Sequence, residues 1–118
     1  MMAQWFGGSH VTAMKQTLES SHLTHQEVGQ NLANVDTPGY RSHETDFKTL
    51  LLEARDDKPE RGRPFDAYLE EVSESKPGVN VERELARLSQ ASLEQAAAVR
   101  LLSTYYSQLR LALTEGKR

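Results

Sequence analysis

Histidine and carboxylate side chains are the first residues to test for chemistry in this sequence. His22 and His25 are three residues apart, a spacing that puts both rings on one face of a helix, where they could bind a metal ion. Only Glu19 and Gln26 stand close enough along the helix to join them, and the amide of Gln26 is a poor ligand. The pair therefore fits histidines on a surface or at a helix interface better than a metal site.

The other polar groupings are explained equally well by solvated surface. They are His43 with Glu44 and Asp46, Ser9-His10, Asp56-Asp57, and Glu70-Glu71. The sequence contains no glycine-rich phosphate loop, no Gly-x-Ser-x-Gly, no His-Glu-x-x-His and no cysteine. We therefore expect no enzyme activity, no cofactor, no metal site and no small-molecule substrate.

Composition restricts the class of protein further. The net charge of −3, from 14 basic and 17 acidic residues, gives no reason to expect a nucleic-acid partner. Apolar residues make up 37% of the 118, which is low for a full central core, and the excess of leucine and alanine over isoleucine favours helices. No run approaches the ~20 apolar residues of a membrane span, and the N-terminus lacks the basic and apolar regions of a cleaved signal peptide.

These side chains must be positioned by helices, and the segment from Gln30 to Tyr40 marks where the first helix ends. Pro38 lacks an N–H group and clashes with a preceding helical turn, and it drives Thr37 towards extended angles. Pro38 and Gly39 suit the central positions of a type II turn from Thr37 to Tyr40, because Gly39 accepts a positive φ. The sequence predicts a helix, a stop and a tight turn.

Two long amphipathic helices are predicted, one near each end of the chain. The first covers about residues 11–35 and the second about residues 80–114, with Asn80 as a candidate N-cap. Apolar residues recur at steps of three and four, the spacing of a coiled-coil seam. On the first helix the seam is Val11, Met14, Leu18, Val28, Leu32 and Val35, with Ser21 and His25 in the gap. On the second it is Val81, Leu85, Leu88, Val99, Leu102, Tyr106, Leu109 and Leu113, with Ser92 and Gln95 in the gap.

Residues 36–79 form the predicted turn and linker. A short apolar cluster from Phe47 to Leu52 predicts one or two helical turns, and residues 53–77 are rich in charge and in proline, which predicts a partly disordered connection. The expected fold is mainly α: one domain over residues 1–118, with the terminal helices paired as an antiparallel coiled-coil-like hairpin. Ser21 and His25 would then face Ser92 and Gln95, and substitutions of His25 and Gln95 would be energetically coupled.

The predicted turn also carries a family resemblance. The run Asn31-Leu32-Ala33-Asn34-Val35-Asp36-Thr37-Pro38-Gly39-Tyr40, followed by Asp46-Phe47, closely resembles the N-terminal signature of the flagellar rod and hook proteins. Its Asp-Thr-Pro-Gly-Tyr ending is most similar to that of the proximal rod proteins, the FlgB group. Residues 79–88 resemble the family's entry into its last helix, although Gln95-Ala96-Ala97 stands where members often carry tyrosine.

The resemblance implies a structural subunit of the proximal rod of the bacterial flagellar basal body. Its terminal helices would form a coiled-coil-like layer of a helical tube and transmit torque. The implied partners are further copies of the chain, other rod proteins, the rod-base adaptor FliE, the membrane ring and the flagellar type III export gate. The implied location is the rod, on the periplasmic side of the inner membrane, reached without a cleaved signal peptide.

An export-gate recognition pattern belongs to the same resemblance. Rod and hook substrates carry a phenylalanine followed four residues later by an apolar residue, and Phe47 with Leu51 is similar to that pattern. A local apolar cluster explains the two residues equally well. The competing interpretation of the whole chain is a soluble coiled-coil adaptor or chaperone-like protein, or another rod or hook paralogue.

Overall fold

The computed structural model describes the backbone of residues 9–56 and 72–116, and the side chains of residues 10–51 and 72–116. The described chain is mainly helical, as predicted. Its elements in order are α1 (Ser9–Ala33), β1 (Arg41–Thr45), α2 (Phe47–Asp56), β2 (Ser73–Pro77) and α3 (Val81–Glu115). The long helices α1 and α3 pack against each other more extensively than any other pair of elements. None of the described helices has both the length and the apolar content needed to cross a bilayer.

The helix ends follow from local hydrogen bonding. Asn80 begins α3, its side chain accepting a hydrogen bond of 3.2 Å from the N–H of Arg83. Asp46 begins α2 in the same way, accepting from the N–H and the hydroxyl of Thr49 at 3.2 and 2.8 Å. These side chains satisfy N–H groups that have no partner within the helix. Helix α1 begins and ends two residues earlier than predicted, and α3 extends one residue further.

The short sheet adds two strands that the sequence did not predict in the turn and linker of residues 36–79. Strands β1 and β2 pair antiparallel, with Arg41 opposite Pro77 and Thr45 opposite Ser73. The predicted linker therefore contributes two strands as well as α2, which confirms the expected helical turns after Phe47. The central part of the charged stretch, residues 57–71, lies outside the described residues.

Few apolar side chains are fully buried in the described part of the chain. They are Val28, Leu50, Ala91 and Ala98. Polar residues are buried beside them: Ser20, Ser21, Asn31, Thr45 and Glu84. The two serine hydroxyls donate to the carbonyl of Thr17 within α1. A core of this kind depends on hydrogen bonds between elements as much as on apolar packing.

Candidate functional site

Asn31, the first residue of the motif, is fully buried near the end of α1. Its amide donates to the carbonyl of His43 at 2.7 Å and to the Glu84 carboxylate at 3.1 Å. Its carbonyl oxygen accepts from the Tyr40 hydroxyl at 2.8 Å and from the His43 N–H at 3.1 Å. All of the hydrogen-bonding capacity of the side chain is used, so one residue joins α1, the turn, β1 and α3.

A second junction lies one helical turn earlier, at Glu27. Its carboxylate accepts from the N–H and the hydroxyl of Thr45, at 2.8 and 2.6 Å, and from the Arg87 guanidinium at 2.6 Å. Arg87 also donates to Glu84 at 3.3 Å. The side chains of Glu27 and Arg87 are only 11% and 13% exposed. We call Glu27, Asn31, Glu84 and Arg87 the polar junction.

The polar junction also explains how β1 is held. The N–H groups of His43 and Thr45 point away from β2, and they donate to the side chains of Asn31 and Glu27. Helix α1 thus supplies side-chain partners where a third strand would supply its backbone. This closes the outer edge of β1, which would otherwise present unpaired polar groups.

The rest of the motif forms the predicted turn. The N–H of Tyr40 donates to the carbonyl of Thr37 at 3.2 Å, and Gly39 has a φ of 76°, as the third position of a type II turn requires. Asn34 donates to the Gln30 carbonyl at 2.8 Å and accepts from the Thr37 hydroxyl at 3.1 Å. Asn34 thereby satisfies one of the carbonyls left open at the end of α1.

An exposed ion pair connects the sheet to α3. Two guanidinium nitrogens of Arg83 donate to the two carboxylate oxygens of Glu44, both at 2.7 Å. The hydrogen bond from Arg83 lowers the pKa of the Glu44 carboxyl. The charges of Arg83 and Arg87 add to this lowering, and partial burial opposes it. The same hydrogen bond raises the pKa of Arg83.

A cavity lies between α1, α2, the sheet and α3. Its walls carry carboxylates from Glu44, Asp46, Glu74 and Glu94 and cations from Lys48, Arg83 and Arg87. Lys48 and Glu94 form an ion pair of 3.1 Å across it. Opposite charges are interspersed, so the walls present no field of a single sign to a charged ligand.

Asp57, Glu70 and Glu71 lie outside the described residues, and the other candidates do not form a metal site in the described part of the chain. Among the described residues, no group of three or more histidines and carboxylates could hold a metal ion. His22 is exposed, whereas His25 is half-buried and lies 3.3 Å from the hydroxyl of Ser92 on α3. Ser92 and His25 belong to the four polar residues in the predicted seam gaps, and Ser92 is the α3 residue whose hydroxyl lies within hydrogen-bond distance of His25.

The residues of the two predicted helix seams differ in how deeply they are buried. Val28 is buried, and Val11, Met14, Leu18 and Leu32 are half-buried. On α3, the half-buried members are Leu88, Leu102 and Leu109, while Leu85, Val99, Tyr106 and Leu113 are exposed. The buried side of α3 carries Glu84, Ala91 and Ala98 instead, one position before the predicted residues. The exposed members thus contribute little to the packing against α1.

Phe47 and Leu51, the possible export-gate residues, lie one turn apart on α2. Both are half-buried, and Leu50 between them is 2% exposed. The carboxylate of Asp46 accepts a hydrogen bond from the N–H of Thr49 at the start of α2. The N–H of Asp46 donates to the carbonyl of Val72 at 2.9 Å. The pair is therefore part of a folded element in the described structure.

Comparison with known proteins identifies no relative. No family model matches the chain, and neither a curated protein nor a solved structure is similar to it.

Proposed function

We propose that this chain is a structural subunit of the proximal rod of the bacterial flagellar basal body, of the FlgB group. The observation that carries the proposal is the exposure of apolar side chains on several sides of α3. Leu93, Leu101, Leu111 and Leu113 are 73%, 59%, 62% and 62% exposed, and they do not share one face of the helix. A helix that is apolar on several sides is stable only when neighbours surround it, as in a packed tube.

The terminal helices pair as an antiparallel hairpin in this proposal. Support comes from the order of three contacts between α1 and α3: Asn31 with Glu84, Glu27 with Arg87, and His25 with Ser92. As the residue number falls along α1, it rises along α3. The two helices are about 38 and 52 Å long at 1.5 Å per residue, so the longer α3 extends beyond its partner.

The family motif supports the same proposal because its residues have defined positions in the fold. Asn31 joins four parts of the chain, Asn34 and Thr37 end α1, and Gly39 permits the turn. Torque would then pass through lateral contacts between rigid helices, with the polar junction fixing the angle at which each subunit presents α3. The partners would be further copies, other rod proteins, the rod-base adaptor, the membrane ring and the export gate.

The experiment is to delete the gene, isolate basal bodies and image them by electron microscopy. We expect the membrane ring without the rod, and loss of motility that this chain restores. Complete rods and hooks in the deletion strain would overturn the proposal and favour a soluble coiled-coil adaptor.

Point variants of α3 separate assembly from folding. Leu102 and Leu109 are half-buried within the chain, so an aspartate there would also disturb the fold. Leu101→Asp and Leu111→Asp change exposed side chains, and we expect both to abolish motility while the purified chain remains helical. Leu101→Met and Leu111→Met, which keep the side chains apolar, are the matched controls and should leave motility intact. Ser107→Asp, also exposed on α3, controls for the effect of an added charge on helix content in solution.

A further inference from the structure

Helix α3 has a second seam, about 100° around the helix from the face that packs against α1. Its positions follow the alternating steps of three and four residues of a coiled coil, and every one of them is exposed. The members are Glu82, Leu85, Ser89, Ser92, Ala96, Val99, Ser103, Tyr106, Arg110 and Leu113. Leu85, Val99 and Tyr106 are 48%, 49% and 50% exposed. We call this set the outer seam.

The outer seam is complementary to itself when it is reversed. An antiparallel copy that places its Val99 opposite Ala96 also places its Tyr106 opposite Ser89, so that large side chains meet small ones at these two pairs. Further out, Leu85 lies opposite Arg110, whose aliphatic stem is the part that faces an apolar side chain. Glu82 then lies within one turn of Arg110 of the second copy, at each end of the contact. A parallel copy in register would instead put Glu82 beside Glu82 and Arg110 beside Arg110, which is unfavourable.

The surface at the centre of the outer seam is concave. An open groove is lined by Ser92, Gln95, Ala96, Val99, Arg100 and Ser103. In the antiparallel arrangement this groove faces Val99 of the second copy. Arg100 would lie beside Leu93 of the other helix, away from its own equivalent, so the central contact brings no like charges together.

We infer that the outer seam binds the outer seam of a second copy of this chain, forming a two-fold antiparallel dimer. The inference does not depend on the proposed function. In a tube whose subunits all point the same way, a two-fold contact cannot recur along the axis. For a rod subunit, the dimer is therefore a form that exists before assembly, with apolar side chains of α3 covered.

Cysteine cross-linking tests the dimer directly, because the chain has no cysteine of its own. The proposed register puts Ser92 opposite Ser103 of the second copy, and it separates the two Ser92 residues by about 16 Å, too far for a disulfide. Under mild oxidation, a mixture of the Ser92→Cys and Ser103→Cys chains should give at least ~tenfold more disulfide dimer than Ser92→Cys alone. Ala97→Cys, exposed on another side of α3, is the control and should form no disulfide-linked dimer.

Two results would contradict the proposed antiparallel dimer. Efficient cross-linking of the Ser92→Cys chain with itself would show a parallel contact. Absence of cross-linking, together with a monomer in sedimentation at about 100 μM, would show that no dimer forms. Either result overturns the inference. Val99→Asp should convert the dimer to a monomer without loss of helix signal. Glu82→Arg should weaken the dimer, and adding Arg110→Glu should restore it. None of these outcomes decides the basal-body experiment.

Discussion

At the scale of single residues, Asn31 is the position on which the fold depends most. Replacing it with aspartate keeps the shape but turns the donor that faces Glu84 into a second buried carboxylate. We expect Asn31→Asp to lower the free energy of unfolding by about 3–5 kcal/mol, because two buried carboxylates would face each other and the amide donor to Glu84 and to the His43 carbonyl would be lost. Urea denaturation followed by circular dichroism measures the change.

Gln30→Glu is the matched control for Asn31→Asp. It makes the same chemical change at the preceding residue, which is exposed, and it should shift the free energy of unfolding by less than about 0.5 kcal/mol. Equal effects of the two substitutions would mean that Asn31 does not hold the junction together.

The ion pair between Glu44 and Arg83 should make the free energy of unfolding depend on pH. Because Arg83 lowers the pKa of its carboxyl in the folded chain, the pair stabilises the fold above the unfolded pKa of about 4.3, and this contribution is lost as the pH falls through the lower folded value. The difference in free energy of unfolding between the parent chain and Glu44→Gln should be largest near neutral pH and should vanish in acid. Glu19→Gln, on the exposed side of α1, controls for the change in net charge.

The result that would contradict this prediction is a difference that persists or grows in acid. It would show that the Glu44 side chain stabilises the sheet by packing and not by its charge.

At the scale of elements, replacing glycine with alanine should lower the stability of the chain at two positions and raise it at a third. Gly39 and Gly78 have φ values of 76° and 73°, where a Cβ atom is strained, so Gly39→Ala and Gly78→Ala should each destabilise the chain by about 1 kcal/mol. Gly29 lies within α1 with open space around its Cβ position, and Gly29→Ala should stabilise the chain by about 0.5–1 kcal/mol. Thermal melts of the three variants measure these changes.

Gly29→Ala also reports on assembly. Open space in the single chain leaves room for a neighbouring helix. A variant that is more stable in solution yet non-motile would locate a contact between subunits at Gly29. Lower stability of the purified Gly29→Ala chain would contradict the geometry of α1.

The elements also show what the sequence could predict. The two long helices, the stop at Pro38 and the turn at Gly39 follow from local rules, and the structure confirms them. The strands could not be predicted, because Arg41–Thr45 and Ser73–Pro77 lack the alternating apolar pattern of a half-buried strand. They are held by a partner strand far along the chain and by side chains of α1.

Only part of the predicted α3 seam lies on the face that packs against α1, for a similar reason. Apolar periodicity ranks leucine and valine above alanine, so the pattern selected Leu85 and Val99. The buried positions are occupied by Ala91 and Ala98, with Glu84 at the polar junction. A buried glutamate can be recognised only through its partners Asn31 and Arg87, which the fold brings together.

At the scale of the whole molecule, protection from hydrogen exchange should fall along α3. On the proposed antiparallel pairing, His25 lies beside Ser92, and counting back to Ser9 on α1 reaches about residue 108 on α3. The last turns of α3 then have no described part of α1 beside them. Amides near Val28 and Ala91, which are buried, should exchange most slowly, and those from Arg110 to Glu115 most rapidly.

Exchange followed by mass spectrometry at low protein concentration, where a two-fold dimer dissociates, measures this gradient. The end of α3 should become protected once the chain is incorporated into a rod, because neighbours then cover Leu111 and Leu113. The Ser107→Asp chain provides the matched control, since it should show the same gradient. Slow exchange up to Glu115 in the dilute chain would mean that α3 is already covered in the single molecule, and its exposed leucines would then no longer argue for assembly.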